Sequence, residues 1–182
     1  MKKLPTTLEG PVLLEPVVHG DARGSFHETF REDQLTELGI DERWVQDNQS
    51  RSARGVLRGM HFQLGRGQAK LVRAARGAVL DVVVDIRRES PTFARWEAFE
   101  LDDERHRQLY VPVGFAHGFC VVSESADVLY KCSSYYAPEQ ERGIAYDDPD
   151  IGIEWPDLEL TVSERDRAAP RLAEIAHEIS FA

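Results

Sequence analysis

Hydrophobic and polar residues alternate with a period of two through most of the middle of the chain, and Gly, Pro and Asp separate the alternating segments. This pattern predicts an all-β protein. Ten short strands in one compact unit must pack as two sheets or close into a barrel, so we expect a jelly-roll β-sandwich or barrel with short peripheral helices. The predicted strands cover 12–18, 24–30, 45–50, 56–62, 69–76, 78–87, 96–101, 106–111, 118–122 and 127–135, with Gly77 as a tight turn.

Helical patterns lie only near the ends of the chain. Residues 31–38 predict a short helix with Gly39 at its C′ position, and residues 170–179 predict a second helix on the tail. The stretch SERD, which begins at Ser163, has the spacing of a capped helix start. The sequence contains no internal repeat, and residues 1–182 are expected to form a single domain.

Two strands carry polar residues at positions that call for an explanation. In DVVVD, Asp81 and Asp85 share one face with the central valine, so we expect one packed face and one face with polar groups. In LRGMHFQ (57–63), Arg58 and His61 interrupt an apolar strand. His61 and Gln63 alternate with apolar residues, which predicts that the polar pair faces a cavity.

Polar residues on inward-facing positions are the candidates for function, because ligands of such folds bind in the mouth of the barrel. Four stretches carry them, each with a structural alternative. DARGSFHE (21–28) also fits a solvated polar loop, and the histidine of LRGMHFQ also fits a hydrogen-bonded core residue. VPVGFAHGF (111–119) also fits a turn capped by its histidine, and YKCSSYY (130–136) also fits packed aromatic residues.

The charge balance excludes some partners. With 22 Lys and Arg against 32 Asp and Glu, the formal net charge is -10, the opposite of the basic footprint of proteins that bind nucleic acid or anionic membranes. An anionic small ligand therefore needs a local cluster of cations. No apolar stretch approaches the roughly 18 to 20 residues that cross a bilayer, so we expect a cytoplasmic protein. Cys120 and Cys132 are expected to be buried free thiols without a chemical role.

Several separated motifs together carry a family resemblance. DARGSFHE, NQS…LRGMHFQ…QAKLV, VPVGFAHGF and YKCSSYYAPEQE, followed by IEWP and SERD, resemble the dTDP-4-dehydrorhamnose 3,5-epimerase family in spacing and order, over nearly the whole chain. The resemblance implies a cupin-type jelly roll, a homodimer that shares strands between subunits, no metal and no cofactor. The implied substrate is a dTDP-linked 4-keto-6-deoxyhexose on the way to dTDP-L-rhamnose.

The implied chemistry needs the residue types that the motifs contain. Removal of a proton beside a ketone requires a base with a pKa near neutrality and a positive group at the enolate oxygen. The resemblance implies that His61 is the base, that Tyr130 is the acid on the opposite face, and that Lys70 stabilises the oxyanion. Asp166 matches the carboxylate partner of the base, while Asp81, on the polar face of a central strand, is a rival for that position.

The resemblance also implies a set of substrate-binding residues, which are Arg23, Phe26, Glu28, Gln46, Asn48, Arg58, His117, Tyr136, Glu141 and Arg165. Arginine suits a diphosphate, because its planar fork makes paired, charge-assisted hydrogen bonds. The family tyrosine at the Tyr136 position stacks on the thymine ring. Departures from the family pattern are small and avoid the proton-transfer residues; they are Met60, Phe62, Ala94 and Arg165.

Three alternatives remain from the sequence. Relatives with nearly the same residues invert only C3 or only C5 of a dTDP-4-keto-6-deoxy sugar. A metal-dependent cupin oxygenase would need a closely spaced His-x-His with a carboxylate and a later histidine, but this motif has only one histidine. A non-catalytic nucleotide-sugar binding protein would tolerate loss of the base and acid, yet His61 and Tyr130 are both present.

Overall fold

Fourteen strands and three short helices make up the computed structural model, which describes residues 1–181. The strands are β1 (Lys2–Leu4), β2 (Val12–Glu15), β3 (Val18–Asp21), β4 (Gly24–His27), β5 (Gln46–Ala53), β6 (Val56–Gln63), β7 (Lys70–Arg76), β8 (Ala78–Asp85), β9 (Trp96–Asp102), β10 (Gln108–Val111), β11 (Phe115–Val121), β12 (Ser125–Cys132), β13 (Glu141–Gly143) and β14 (Thr161–Val162). The helices are α1 (Glu32–Glu37), α2 (Glu164–Arg167) and α3 (Leu172–Ile175). The all-β prediction with short peripheral helices is confirmed.

The strands form two large sheets and one separate hairpin. Sheet I has the order β1-β2-β10-β7-β12-β5, and sheet II has the order β13-β6-β11-β8-β9, with the short β14 parallel to β6. Strands β3 and β4 pair with each other as a two-stranded hairpin. None of the helices within residues 1–181 has the length and apolar character needed to cross a bilayer.

Alternation along the strands separates three hydrophobic layers. Leu109, Val72 and Val128 of sheet I meet Val83 and Phe119 of sheet II in the layer between the sheets. The C-terminal segment covers the outer face of sheet II, and α1 packs with its neighbours on the outer face of sheet I. Each large sheet is therefore packed on both faces, with the space between the sheets as the interior of the sandwich.

The DVVVD strand corrects the expectation of one packed face and one polar face. Val83 packs between the sheets, whereas Val82 and Val84 pack under the C-terminal segment. Asp81 and Asp85 are both fully buried. Because a buried carboxylate needs polar partners, each aspartate makes specific hydrogen bonds, Asp81 with a histidine and Asp85 with the loop that follows it.

Several predicted boundaries change for local reasons. Helix α1 ends as predicted, with Gly39 at a φ of +80°, and Gly77 forms the turn between β7 and β8. The predicted strand 12–18 divides in two at Pro16, which has no N–H to donate. The predicted tail helix 170–179 contains only α3, because the chain beyond it follows sheet II and Phe181 forms a bridge with Gly65. Strands β1, β13 and β14 were not predicted.

A β-bulge between β6 and β11 sets the direction of two candidate side chains. His117 pairs with His61 and Phe119 pairs with Arg58, so three steps along β6 match two steps along β11. Strict alternation would point Arg58 and His61 to opposite faces, but the extra residue turns both toward the interior. The two backbones touch at Gly59 and Gly118 in this region: a Cβ on Gly118 would lie 2.8 Å from the Arg58 carbonyl oxygen.

We predict that Gly118→Ala destabilises the protein by about 1 to 3 kcal/mol, because the added methyl group forces β6 away from β11. Urea unfolding monitored by circular dichroism measures this loss. Gly20→Ala is the matched control, since a Cβ there would meet only the Gly24 carbonyl oxygen, at 3.8 Å. Equal unfolding free energies for Gly118→Ala and the wild type would contradict the close approach of the two strands.

Candidate active site

A cavity of about 530 Å³ lies between the two sheets. Sheet I contributes Ser50, Lys70 and Tyr130, which all occupy inward-facing positions of their strands. The remaining lining residues belong to sheet II, to β14 or to α2 and its cap; they are Val56, Leu57, Arg58, His61, His117, Phe119, Glu141, Thr161, Val162, Ser163, Arg165 and Asp166. The structure thus brings eight of the predicted site residues to one cavity, namely His61, Tyr130, Lys70, Asp166, Arg58, His117, Glu141 and Arg165.

His61 and Asp166 form a hydrogen-bonded pair in the wall of the cavity. Nε2 of His61 lies 2.7 Å from Oδ1 of Asp166, and the two side chains are 27% and 6% exposed. When Nε2–H donates to this carboxylate, Nδ1 of the neutral imidazole keeps a free lone pair. Burial alone would raise the pKa of Asp166, but the hydrogen bond and charge of His61, with smaller contributions from nearby donors, hold that pKa below its ordinary value.

Local structure fixes the position of Asp166. Strand β14 pairs in parallel with β6, and Ser163, which follows it, caps α2 by accepting a hydrogen bond from the Asp166 amide at 3.1 Å. The Asp166 carboxylate also accepts a hydrogen bond from the Gly59 amide at 3.4 Å. The predicted capped helix start at SERD is therefore confirmed, and the same cap orients a carboxylate toward the cavity.

A second histidine and carboxylate form a deeper pair. Nε2 of His117 lies 2.9 Å from both carboxylate oxygens of Asp81, and both side chains are buried. The two aspartates that the sequence offered as partners of His61 therefore bind different histidines. Asp81 lies beside His117, and Asp166 lies beside His61.

Lys70 and Tyr130 face these histidines from sheet I. Burial lowers the pKa of Lys70 below its ordinary value, because desolvation disfavours the ammonium ion, and burial raises the pKa of the Tyr130 hydroxyl. Within residues 1–181, no carboxylate lies within 4.0 Å of the Lys70 ammonium. Cys132, opposite Lys70 in the sheet, is a buried free thiol whose pKa burial raises.

Two arginines and a glutamate continue the cavity toward its opening. Nη2 of Arg165 lies 2.8 Å from Oε2 of Glu141, and the Tyr136 hydroxyl donates to the same oxygen at 2.8 Å. Burial opposes ionisation of Glu141, but these hydrogen bonds outweigh it and lower its pKa. Arg58 donates from Nε to the Ser52 hydroxyl at 3.1 Å. Its guanidinium makes no ion pair within residues 1–181, so it adds uncompensated positive charge to the cavity.

Three predicted binding residues form the rim outside the cavity lining. Gln46 donates to the Asn48 side chain at 3.2 Å and accepts from the Tyr136 amide at 2.9 Å. Strand β12 ends at Cys132, so Tyr136 lies in the following loop and not on the strand that carries Tyr130. Tyr136 is 52% exposed and reaches the cavity only through its hydroxyl contact with Glu141.

The remaining three predicted binding residues lie away from this chain's cavity. Arg23 and Phe26 lie on the β3–β4 hairpin and line a separate groove there, and Arg23 pairs with Asp21 at 2.6 Å. Phe26 is 68% exposed. Glu28 lies beside α1 and accepts a hydrogen bond from Gln34 at 3.3 Å.

Several cavity residues had no functional prediction from the sequence. Ser50 belongs to the NQS motif and alternates with Asn48, which marks it as an inward-facing polar residue, but the family resemblance assigned it no role. Thr161 and Val162 gave no signal, because a two-residue parallel strand is too short for a periodic pattern. Among residues 1–181, no group of three or more His, Cys, Asp or Glu side chains is arranged to hold a metal ion.

Comparison with known proteins places the chain in a family. A family model described as dTDP-4-dehydrorhamnose 3,5-epimerase matches residues 5–174. The enzyme of that name from Methanothermobacter thermautotrophicus is 51% identical over 166 residues, which are 89% of each chain. The chain belongs to the dTDP-4-dehydrorhamnose 3,5-epimerase family.

Solved structures of this epimerase family agree with the fold. The dTDP-6-deoxy-D-glucose-3,5-epimerase of Legionella pneumophila, in complex with dTDP-4-keto-L-rhamnose, superposes with a TM-score of 0.94 at 46% identity and covers 97% of this chain and 95% of its own. A 3′-monoepimerase from Streptomyces bikiniensis, in complex with dTDP-quinovose, gives a TM-score of 0.89 at 43% identity, over 96% and 89% of the two chains. The predicted cupin-type jelly roll is thereby confirmed.

Proposed function

We propose that this chain converts dTDP-4-dehydro-6-deoxy-D-glucose to dTDP-4-dehydro-L-rhamnose by inverting C3 and C5. The observation that carries the proposal is one cavity with an imidazole and carboxylate pair on sheet II and a phenol on sheet I. Inversion of a carbon beside a ketone needs a base on one side of the sugar ring and an acid on the other. His61 and Tyr130 lie on facing sheets and meet this requirement.

His61 is the proposed general base. Its Nε2–H donates to Asp166, so Nδ1 can accept the proton from C3 or C5, and the carboxylate stabilises the imidazolium that forms. The electron pair of the broken C–H bond moves onto the C4 carbonyl and gives an enolate with its charge on O4. Asp166 does not touch the sugar in this scheme and acts by orienting His61.

Lys70 is the proposed partner of the enolate oxygen. Desolvation lowers its pKa, and negative charge on O4 would relieve the cost of holding an ammonium ion in this environment. Electrostatic stabilisation of this kind contributes several kcal/mol in a site from which water is excluded. Because no described carboxylate within 4.0 Å neutralises Lys70, its charge is free to act on the substrate.

Tyr130 is the proposed acid. A phenol is protonated at neutral pH, and burial raises the pKa of the Tyr130 hydroxyl further. It donates this proton to the enolate carbon on the face opposite His61, so the carbon acquires the inverted configuration. Exchange with water then removes the proton from His61 and returns one to Tyr130 before the next inversion.

The cations of the cavity support binding of a diphosphate. The carboxylates of Asp81, Asp166 and Glu141 are each paired with a cavity residue, whereas Arg58 and Lys70 make no ion pair within residues 1–181. The cavity therefore contains two cations, Arg58 and Lys70, that no described carboxylate contacts, despite the net charge of -10 of the chain. We assign the rim, with Gln46, Asn48 and Tyr136, to the thymidine end of the substrate.

We further propose a homodimer in which the β3–β4 hairpin completes the cavity of the other subunit. Within residues 1–181 the hairpin pairs with no other strand, and it exposes Arg23, Phe26 and Val18 to solvent. A two-stranded hairpin is marginally stable alone, and exposed aromatic surface commonly marks an interface. Arg23 would bring a third cation to the diphosphate, and Phe26 would provide an apolar contact for the nucleoside.

A single inversion, at C3 alone, is the second candidate function, because the similar chain from Streptomyces bikiniensis is a 3′-monoepimerase. Both functions use the same base and the same acid. They differ in which carbons exchange their hydrogen, so incubation with dTDP-4-keto-6-deoxyglucose in D2O distinguishes them. Deuterium at C3 and C5 supports the double epimerase, and deuterium at C3 alone supports the single one.

We predict that His61→Ala lowers the rate of solvent deuterium exchange into the keto sugar by about 100-fold to 10,000-fold, the range for loss of a general base. Affinity for dTDP stays within twofold. His177→Ala, at a histidine with a 75% exposed side chain on the tail, is the control and keeps the wild-type rate. Undiminished exchange in His61→Ala would refute the assignment of the base, and a wild type without exchange would favour a binding protein.

For Tyr130→Phe we predict deuterium uptake without full inversion at C5, because the base still forms the enolate while the proton donor is missing. NMR of the recovered sugar nucleotide separates labelled substrate from inverted product. Tyr110→Phe is the matched control, since the Tyr110 hydroxyl donates to Glu42 away from the cavity. A normal product from Tyr130→Phe would rule out its role as the acid.

We predict that co-expressed Arg23→Ala and His61→Ala chains form heterodimers more active at low substrate than either variant alone. One cavity of each heterodimer then combines an intact His61 with an intact Arg23 from the other subunit. Two differently tagged chains allow purification of the heterodimer. If the hairpin served its own chain, no cavity would be intact and activity would not recover.

A further inference from the structure

One buried hydroxyl in the cavity wall has no hydrogen-bond partner. Among residues 1–181, Ser50 Oγ is the buried side-chain nitrogen or oxygen atom for which no partner is found. Leaving such an atom unpaired costs on the order of 1 to 3 kcal/mol, so most buried polar atoms are paired. An unpaired hydroxyl in a ligand cavity is therefore a candidate contact for the ligand.

The neighbours of Ser50 on the same strand face are all engaged elsewhere. Ser52 accepts a hydrogen bond from Arg58, and Asn48 donates to the Cys132 sulfur at 3.6 Å. Directly across from Ser50 lies Val128, whose side chain has no polar atom. Strand β5 is the edge of sheet I, and no strand of the described residues pairs with its other side. Ser50 itself lines the cavity, so rotation of its side chain about the Cα–Cβ bond would bring the hydroxyl to a ligand there.

The register of sheet I places Ser50 relative to the proposed catalytic groups. Lys70 on β7 pairs with Cys132 on β12. Tyr130, two residues before Cys132 on β12, pairs with Asn48 on β5. Ser50 lies on β5 two residues after Asn48, which is roughly 7 Å farther from Lys70 in the strand direction. Measured along the strand direction of sheet I, Tyr130 therefore lies between Lys70 and Ser50.

We propose that Ser50 is a specificity residue that hydrogen-bonds the C2 hydroxyl of the substrate hexose. This inference rests on the proposed function, in which O4 lies at Lys70. A 4-keto-6-deoxyhexose keeps hydroxyl groups only at C2 and C3, and C3 is a reacting carbon beside the ketone. The C2 hydroxyl lies farther from O4, toward the end of the cavity that holds Ser50 and Arg58.

Ser50→Ala tests the contact. We expect the Kd and KM for dTDP-4-keto-6-deoxyglucose to rise about tenfold, the effect of one hydrogen bond, while kcat changes less than twofold. The Kd for dTDP, which has no sugar, should stay the same. The 2-deoxy form of the substrate should bind the wild type about tenfold more weakly, with no further loss in Ser50→Ala, because the variant has already lost the same bond.

Stability separates this role from a structural one. Ser50→Ala should unfold at the wild-type temperature or higher, because it removes an unpaired buried hydroxyl. The matched control is Ser123→Ala, whose hydroxyl accepts from the Ala78 amide and donates to the Ser125 carbonyl. That variant should lose stability and keep the wild-type KM.

Three results would overturn the inference: an unchanged Kd for the keto sugar nucleotide in Ser50→Ala, an equal loss of affinity for dTDP alone, or a further loss with the 2-deoxy substrate. The second result would assign the hydroxyl to the diphosphate. Failure of the proposed function is a separate outcome, since it would appear as wild-type protein that produces no inverted sugar. The Kd measurements on Ser50→Ala remain decisive in that case.

Discussion

The hydrogen bond between His61 and Asp166 is the contact on which the candidate site depends, and it joins residues 105 positions apart. The β-bulge at Gly59 turns Arg58 and His61 to the same side of β6, and parallel pairing of β14 with that strand brings α2 alongside. The α2 cap then directs Asp166 at the imidazole. A change in any of these three backbone features would separate His61 from the carboxylate that fixes its tautomer.

The charge of the cavity depends on which of its ionisable side chains form ion pairs with one another. The charge of Glu141 is offset by Arg165, and the carboxylates of Asp81 and Asp166 are hydrogen-bonded to histidines, whereas Lys70 and Arg58 make no ion pair within residues 1–181. An acidic protein can thus hold unpaired cations in its cavity, and its 32 acidic residues do not exclude an anionic substrate. Burial lowers the pKa of Lys70 and raises that of Tyr130, because it disfavours the charged form of each group. Negative charge on a ligand beside Lys70 would offset the cost of its buried ammonium ion.

Alternation along single strands was enough to predict the sheets and the inward direction of His61 and Tyr130, because a period of two is a property of each strand alone. It could not predict the bulge that redirects Arg58, since a bulge depends on the partner strand. Alternation also could not determine whether Asp81 or Asp166 is the carboxylate partner of His61. Both point inward, and only the register of β8, β11 and β14 determines which histidine each one meets. Family resemblance supplied Arg23 and Phe26, but a single chain leaves them outside its own cavity.

One base and one acid can serve two carbons because of the stereochemistry of the substrate. In the chair of a 4-keto sugar with the glucose configuration, the hydrogens at C3 and C5 are both axial and project from the same face of the ring, on either side of C4. A base on one sheet can reach both of them, and an acid on the facing sheet is then opposite both. After one inversion, that carbon's hydrogen lies on the acid's side and is out of reach of the base. Reversal of an inversion therefore needs the phenolate as the base and the imidazolium as the acid, and a small displacement of the ring relative to Tyr130 would restrict the reaction to one carbon.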